Sequence, residues 1–219
     1  MQAYKTEFLE LALELEVLQF GEFTLKSGRV SPYFFNAGLF NSGYAAAKLA
    51  RCYSAAIADL DVEFDVLFGP AYKGIPLVVL AAAALAEHHD RDYPFAFNRK
   101  EAKNHGEGGA IIGASVKDKK VLIVDDVITA GTAIKEVASI IEAAGGKPVG
   151  VLVALDREEI GSRARIPAKE QLEDDIGIRI HSIVSLTDLV DHLERSEEYA
   201  RQLPAMKAYR NRYGVALDS

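Results

Sequence analysis

The chain has 219 residues, 49% of them apolar and 26% charged, a balance typical of a soluble globular protein rather than a disordered or fibrous one. Its formal net charge of −7 argues against a general nucleic-acid binder, because such proteins hold phosphate backbones with clustered Lys and Arg. A single cysteine, Cys52, permits no intramolecular disulfide, and neither a secretory pattern nor a bilayer-length apolar run is present, so we expect a cytoplasmic protein without a membrane partner.

The first forty residues differ in pattern from the rest of the chain. Apolar residues at helical spacing predict a helix over residues 4–18. Two short strands, residues 23–26 and 33–36, are expected next, around a link rich in turn-forming residues. We interpret residues 1–40 as a small hood within a single domain that spans residues 1–219.

From about residue 45, helices alternate with short apolar strands, which is typical of an α/β fold with a mainly parallel central sheet flanked by helices. We expect this core over residues 60–185. Its predicted strands are nearly continuous apolar runs at residues 66–69, 121–124, 149–155 and 180–184. Helices are predicted over residues 45–57, 76–88 and 132–144, with two more after the last strand. A hairpin of residues 95–97 and 110–112 is expected around a charged, glycine-rich loop.

The segment 121–133 carries the strongest chemical signal, because two acids, Asp125 and Asp126, directly follow a buried strand and precede a helix. Ligands of open parallel sheets bind at the carboxyl ends of the strands, where paired carboxylates can accept hydrogen bonds from vicinal ribose hydroxyls. The loop from Thr129 to Thr132 offers backbone N–H groups, two hydroxyls and a helix N-terminus, which suit a phosphate monoester. The alternative is a strand-to-helix turn with a Thr cap and two solvated acids.

A second strand end is followed by a tight bend at Gly69 and Pro70 and then by Lys73. The N–H groups of such a turn and the charge of Lys73 could hold a pyrophosphate and favour its departure as a leaving group. Taken alone, the segment fits a turn with a solvated lysine equally well.

Residues 98–109 form a third candidate, since Arg99, Lys100 and Lys103 precede a glycine cluster in an otherwise acidic protein. Such a loop could close over a polyphosphate, exclude water and place positive charge where negative charge develops on the leaving group. The alternative is a solvated hairpin tip, because two glutamates offset part of the charge.

The segment 121–133 resembles the phosphoribosyl pyrophosphate signature of the type I phosphoribosyltransferases: four apolar residues, two acids and a Thr-Ala-Gly-Thr loop. The resemblance implies the fold of that family, with a small N-terminal hood and a mobile hairpin loop at residues 99–110. It implies that Asp125 and Asp126 are catalytic and hold the ribose hydroxyls. It further implies that Val127 and Ile128 contact phosphoribosyl pyrophosphate and that its 5-phosphate is wrapped by Thr129, Ala130, Gly131, Thr132 and Ala133.

The cationic loop resembles the orotate branch of this family, in which a mobile loop reaches the active site of the neighbouring subunit in a homodimer. The resemblance implies that Lys103 is the main catalytic cation and that Lys73 assists it. The residues implied to contact phosphoribosyl pyrophosphate or its leaving group are Lys26, Tyr72, Lys73, Arg99, Lys100, Lys103 and His105. Mg²⁺ is expected to arrive on the substrate phosphates, so no protein ligand for a metal is predicted.

The residues that recognise the base cannot be derived from the phosphate motifs. A planar pyrimidine that carries a carboxylate needs an apolar or aromatic wall and a cation, preferably the fork of an arginine. Arg157 follows a predicted strand and is expected at the same sheet edge as Asp125. Taken singly, Phe34 and Phe35 are more often core residues, and such an arginine is more often a solvated loop residue.

Residues 20–40, with Phe-Thr-Leu-Lys-Ser-Gly-Arg and Ser-Pro-Tyr-Phe-Phe-Asn, resemble orotate phosphoribosyltransferases of the enteric bacterial type. The resemblance covers nearly the whole chain and implies transfer of ribose 5-phosphate to orotate in pyrimidine synthesis. It implies that Lys26 bridges orotate and pyrophosphate, that Phe34 and Phe35 line the base, and that Arg157 and Thr129 bind orotate.

Three other functions are weighed against this one. A transferase for adenine or hypoxanthine would not need a carboxylate-binding Arg157 together with Lys26. A regulator that senses phosphoribosyl pyrophosphate and binds nucleic acid is disfavoured by the intact cationic loop and the acidic net charge. A dinucleotide-binding or P-loop domain is disfavoured because neither glycine fingerprint is present.

Overall fold

The structure, a computed structural model, describes residues 1–25, 27–100, 110–128, 131–161 and 166–214. Lys26, Lys103, His105, Thr129 and Ala130 were predicted as site residues and lie outside the described residues, as does most of the predicted loop 99–110. Among the described helices, none is long and apolar enough to cross a membrane.

The N-terminal region contains helix α1 (Ala3–Glu14) and an antiparallel pair of strands, β1 (Leu18–Thr24) and β2 (Val30–Phe35). The prediction of a helix through residue 18 was wrong at its end. Glu16 adopts a positive φ of 53°, and Leu18 pairs with Phe35 in the strand ladder. The apolar spacing continued past the helix because Val17 and Leu18 are buried in the same core that the helix covers.

Six further strands form the central sheet, in the order β5-β4-β3-β6-β7-β8, with only the pairing of β4 and β5 antiparallel. In chain order they are β3 (Val66–Gly69), β4 (Phe95–Asn98), β5 (Ile111–Gly113), β6 (Lys120–Val124), β7 (Lys147–Asp156) and β8 (Arg179–Ser185). The predicted mainly parallel sheet and the hairpin at its edge are thereby confirmed. Two-residue alternation along β6 sends Leu122 and Val124 into one core and Val121 and Ile123 into the other, so helices must cover both faces.

The remaining α-helices are α2 (Gly43–Asp59), α3 (Gly74–His89), α4 (Thr132–Ala143), α5 (Ala168–Ile176), α6 (Leu186–Leu193) and α7 (Leu203–Tyr213), with short 3-10 helices at Ala37–Leu39 and Glu197–Tyr199. Buried residues of α1, α2, α3, α6 and α7 contribute to one core, and those of α4 and α5 to the other. Helix α4 ends as predicted, because Gly145 adopts a φ of 79° that a side chain would disfavour.

Helix α5 was not predicted. Its sequence, AKEQLEDDI, offers little apolar periodicity, and its buried residues include the polar Gln171 and Glu173. Glu173 is satisfied at the edge of β8, where its carboxylate accepts hydrogen bonds from Arg179 and from the backbone N–H of Ile180. The division of the chain into a hood, a core and a loop within one domain stays a prediction.

Candidate active site

Three neighbouring parallel strands, β3, β6 and β7, end at the same edge of the sheet. The turn at Gly69 and Pro70 follows β3, Asp125 and Asp126 follow β6, and Arg157 follows β7. Strand order alone therefore brings together the strand ends that carry the turn, the two acids and Arg157.

The two acids are fixed by backbone contacts with β7. The N–H of Asp125 donates to the carbonyl of Leu152 at 3.0 Å, and the carbonyl of Asp126 accepts from the N–H of Ala154 at 2.8 Å. Their carboxylates accept hydrogen bonds from the next residues in the chain: Oδ1 of Asp125 from the N–H of Asp126 at 2.9 Å, and Oδ1 of Asp126 from the N–H of Val127 at 2.8 Å. Both residues are buried, with exposed fractions of 9% and 6%.

A buried tyrosine supports the same segment from the opposite side. The hydroxyl of Tyr53, on α2, donates to the carbonyl of Asp125 at 2.9 Å. Tyr53 is 1% exposed and belongs to the core between α2 and the sheet. Nothing in the sequence distinguishes this tyrosine from an ordinary core residue, so its contact with the acid pair could not be predicted.

Lys73 connects the turn after β3 to the acid pair. Its Nζ lies 2.7 Å from Oδ2 of Asp126, and the lysine side chain is 63% exposed while that of the aspartate is 9% exposed. A lysine this exposed needs little repacking to move from the carboxylate to an anionic ligand, because most of it is already solvated, but the buried Asp126 would then need another partner. This contact connects the turn after β3 with the acid segment 121–133, which are two of the three candidate segments in the sequence.

The carboxyl group of Asp125 has a shifted pKa. Burial, and to a lesser extent the charge of Asp126, raise the pKa of Asp125 to about 7. The N–H of Asp126 and the charge of Lys73 oppose this shift without cancelling it. A ligand that donates hydrogen bonds to this carboxylate favours its ionised form.

The turn after β3 packs tightly against the acid strand. A Cβ on Gly74 would lie 2.5 Å from Cδ of Pro70 and 3.0 Å from the carbonyl oxygen of Val124, and one on Gly69 would meet the carbonyl oxygen of Gly74. Glycine is required at both positions for this close approach. The turn includes a cis peptide bond between Ala71 and Tyr72.

Asn98, at the end of β4, was not predicted as a site residue. Its side-chain oxygen accepts from the backbone N–H of Ala71 at 2.9 Å, and the residue is 7% exposed. The turn is thereby attached to the strand that leads into the cationic segment.

Two predicted cations lie at the described start of that segment. Nζ of Lys100 lies 4.8 Å from the ring centroid of Tyr72, which is 66% exposed. The N–H of Arg99 donates to the carbonyl of Ala110 at the base of the hairpin.

The described part of the loop predicted to bind phosphate leads directly into α4. Gly131 has a φ of 72°, and a Cβ there would lie 2.6 Å from Cδ1 of Leu172 on α5. Thr132 and Ala133 are exposed at the helix N-terminus, while Val127 bridges to Leu155 of β7. These positions place backbone N–H groups at the edge where Asp126 ends the acid pair.

The side chain of Arg157 is largely enclosed by protein groups. Its Nε donates to Oε1 of Glu159 at 2.6 Å, and its Nη2 donates to Oγ of Ser31 at 3.0 Å and to the hydroxyl of Tyr209 at 3.2 Å. The guanidinium also stacks over the ring of Tyr33, 4.3 Å from its centroid. The side chain is 21% exposed. The prediction placed Arg157 at the edge shared with Asp125 but did not foresee these partners, of which Ser31, Tyr33 and Tyr209 come from distant parts of the chain.

Phe34 and Phe35 lie on opposite faces of β2, as neighbouring strand residues must. Phe34 is 40% exposed and stacks on Phe23, with ring centroids 5.5 Å apart. Phe35 is 9% exposed and packs in the core against Phe8 and Phe40. Only the side chain of Phe34 is therefore exposed enough to form a wall for a ligand.

Comparison with known proteins identifies the family of the chain. A family model described as "Phosphoribosyl transferase domain" matches residues 39–188. The chain is 60% identical to an orotate phosphoribosyltransferase of Vibrio atlanticus and 58% identical to one of Edwardsiella ictaluri, in each case over 98% of this chain and 100% of the relative.

Solved structures show the same similarity. A crystal structure of orotate phosphoribosyltransferase from Francisella tularensis is 42% identical, with a TM-score of 0.84 over 94% of this chain and 98% of the other. The Mycobacterium tuberculosis enzyme in complex with 5-phospho-α-D-ribosyl 1-diphosphate is 26% identical, with a TM-score of 0.62 over 85% and 98%. The chain therefore belongs to the phosphoribosyltransferase family, in its orotate phosphoribosyltransferase branch.

Proposed function

We propose that this protein transfers ribose 5-phosphate from phosphoribosyl pyrophosphate to orotate, giving orotidine 5′-monophosphate and pyrophosphate, in the pyrimidine biosynthesis of the cytoplasm. The observation that carries the proposal is the contact between Lys73 and Asp126, in a chain 60% identical to an orotate phosphoribosyltransferase over 98% of its length. That contact joins a cation suited to pyrophosphate with a buried acid suited to ribose, at the edge where parallel sheets bind ligands.

At the ribose end, the carboxylates of Asp125 and Asp126 accept hydrogen bonds from the two vicinal hydroxyls. The 5-phosphate lies at the N-terminus of α4, on the N–H groups and hydroxyls of Thr129 to Ala133. Support comes from the backbone contacts of both acids with β7, because a carboxylate that is fixed before binding loses little freedom when the ribose arrives.

At the pyrophosphate end, Lys73 leaves Asp126 and contacts the phosphates together with Tyr72. Arg99, Lys100, Lys103 and His105 of the loop close over the same group, with Lys103 as the main catalytic cation, and Lys26 of the hood contacts it as well. The exposure of Lys73 supports this exchange, since its side chain needs no repacking to move.

The reaction requires little acid or base from the protein. A ring nitrogen of orotate attacks as an anion while the bond from the anomeric carbon to pyrophosphate breaks, and the bonding electrons leave on the pyrophosphate oxygen. Negative charge grows on the leaving group, where the cations stabilise it, and positive character grows on the ribose next to Asp125 and Asp126.

Mg²⁺ belongs with the substrate. Among the described residues no group of three His, Cys, Asp or Glu side chains is placed to hold a metal ion. The proposal needs no such group, because Mg²⁺ would be held mainly by phosphate oxygens and water. When bound, Mg²⁺ neutralises charge on the departing pyrophosphate.

Orotate lies between the sheet edge and the hood. Arg157 binds its carboxylate, the side chain of Phe34 lines the ring, and Lys26 and Thr129 contact the base, while the side chain of Phe35 is buried in the core and supports the strand. Support comes from the position of Arg157 after β7, two strands from the turn of Lys73, and from the exposed ring of Phe34.

The active protein is a homodimer in which the loop of one subunit completes the site of the other. An exposed apolar face on α3 supports this proposal, since Pro76, Val79, Ala83 and Ala86 are all exposed between Lys73 and Glu87. A helix face of this kind, directly after the pyrophosphate turn, suits contact with a second copy of the chain.

The function is tested by mixing the protein with phosphoribosyl pyrophosphate, Mg²⁺ and one base at a time: orotate, uracil, adenine or hypoxanthine. We expect loss of orotate absorbance alone, since only orotate offers a carboxylate to Arg157. Turnover of a purine would identify a different transferase. Failure to convert any base, with phosphoribosyl pyrophosphate still bound tightly, would identify a regulator.

The raised pKa of Asp125 predicts that its carboxyl group destabilises the folded protein at neutral and higher pH. Between its ordinary pKa near 4 and about 7, the folded state keeps a proton that the unfolded chain releases, so the carboxyl costs stability as pH rises through this window. We expect Asp125→Asn to raise the free energy of unfolding at pH 8 by up to about 4 kcal/mol and to leave it unchanged near pH 4. Urea titrations at both pH values measure this, with the exposed Asp61→Asn as control; an equal effect at both pH values would contradict the assignment.

The shared site is tested by complementation. Lys103→Ala and Asp126→Asn each disable every site in their own homodimers, but a mixed dimer contains one site with both native residues. After subunit exchange of an equal mixture we expect about a quarter of the wild-type activity per subunit, from the random pairing of two kinds of subunit in a closed dimer. If the loop served its own subunit, the mixture would stay as inactive as its parts, provided that sedimentation shows mixed dimers.

A further inference from the structure

We propose that Glu159 is a positioning residue for base recognition, which sets the affinity for orotate by orienting the guanidinium of Arg157. The inference rests on the proposed function, in which Arg157 binds the orotate carboxylate. Glu159 lies two residues beyond Arg157 on the segment that follows β7, and no feature of its sequence context had marked it.

The carboxylate of Glu159 is the centre of a network of three donors. Its Oε1 accepts from Nε of Arg157 at 2.6 Å and from the hydroxyl of Tyr209 at 2.7 Å, and its Oε2 accepts from Nη1 of Arg29 at 3.0 Å. The side chain is 13% exposed. Because both oxygens are occupied by charged or polar donors, the carboxylate has one stable orientation, and Arg157 is aligned against it.

The backbone that carries this carboxylate is also fixed. The carbonyl of Glu159 accepts from the N–H of Ala168, and the residue forms an isolated bridge with Gly214 after α7. The preceding residue, Glu158, accepts from both the N–H and the hydroxyl of Thr187, at 2.7 and 2.6 Å. Arg29 comes from the hood and Tyr209 from α7, so elements far apart in sequence converge on one acid.

This network decides which part of Arg157 meets a ligand. Nε and Nη2 are used by Glu159, Ser31 and Tyr209, and one face of the guanidinium lies over Tyr33. Among the described residues Nη1 has no acceptor, so it is the nitrogen presented to the orotate carboxylate. An arginine already held in this way loses less side-chain freedom when the ligand binds than a solvated one would.

A double-mutant cycle separates positioning from a general loss of structure. We expect Glu159→Ala to raise the KM for orotate about tenfold with little change in kcat or in the KM for phosphoribosyl pyrophosphate, because a hydrogen bond to a charged group is lost. Glu159→Gln keeps one acceptor oxygen, so we expect its KM for orotate to lie between those of the wild type and of Glu159→Ala. If Glu159 acts through Arg157, adding Glu159→Ala to Arg157→Ala changes the KM for orotate no further.

The control is Glu173→Gln, which alters another buried acid paired with an arginine, remote from the base, and is expected to leave the KM for orotate unchanged. Thermal unfolding verifies that each variant is folded, and Glu159→Gln carries the test if the alanine variant is not. If the increases in the KM for orotate caused by Glu159→Ala and by Arg157→Ala multiply in the double variant, the inference is wrong while the proposed function stands. An unchanged KM for orotate in Glu159→Ala would have the same meaning. An unchanged KM in Arg157→Ala would overturn the proposed orotate site and the inference with it.

Discussion

The constraint on which the site depends is that two carboxylates must be buried at the end of a central strand. Asp125 and Asp126 are held there because their peptide groups complete the ladder with β7 and because Tyr53 bonds to the carbonyl of Asp125. The exposed cation of Lys73 then offsets one buried charge. The glycines of the turn after β3 follow from the same constraint, since Lys73 reaches Asp126 only if that turn packs against the end of β6.

Burial makes the pair both costly and useful. The raised pKa of Asp125 reflects the burial of its carboxyl group and the charge of Asp126, and in the proposed function a ribose with two vicinal hydroxyls donates hydrogen bonds to the pair. The carboxyl group that destabilises the folded protein at neutral pH is thus the one proposed to receive the ribose, so stability and affinity oppose each other at this point of the sheet. The base side differs, because Arg157 is already surrounded by protein acceptors and a tyrosine ring before any ligand arrives.

The sequence predicted the parts of the molecule that depend on local pattern. Strand β3 has the predicted bounds, Val66–Gly69, and the acid segment lies between a buried strand and a helix as expected. The end of α1 was missed because strand residues continued its apolar spacing, and α5 because its buried residues are largely polar. Contacts between distant segments, such as Glu159 with Arg29 and Tyr209, leave no mark in local pattern and could not be predicted from one sequence.

A crystal structure of the protein with phosphoribosyl pyrophosphate and Mg²⁺ tests the central claim most directly. The account predicts that the two ribose hydroxyls lie within hydrogen-bond distance of the carboxylates of Asp125 and Asp126, and that Nζ of Lys73 has left Asp126 for the pyrophosphate. A ribose bound away from both acids, with the contact between Lys73 and Asp126 intact, would contradict it.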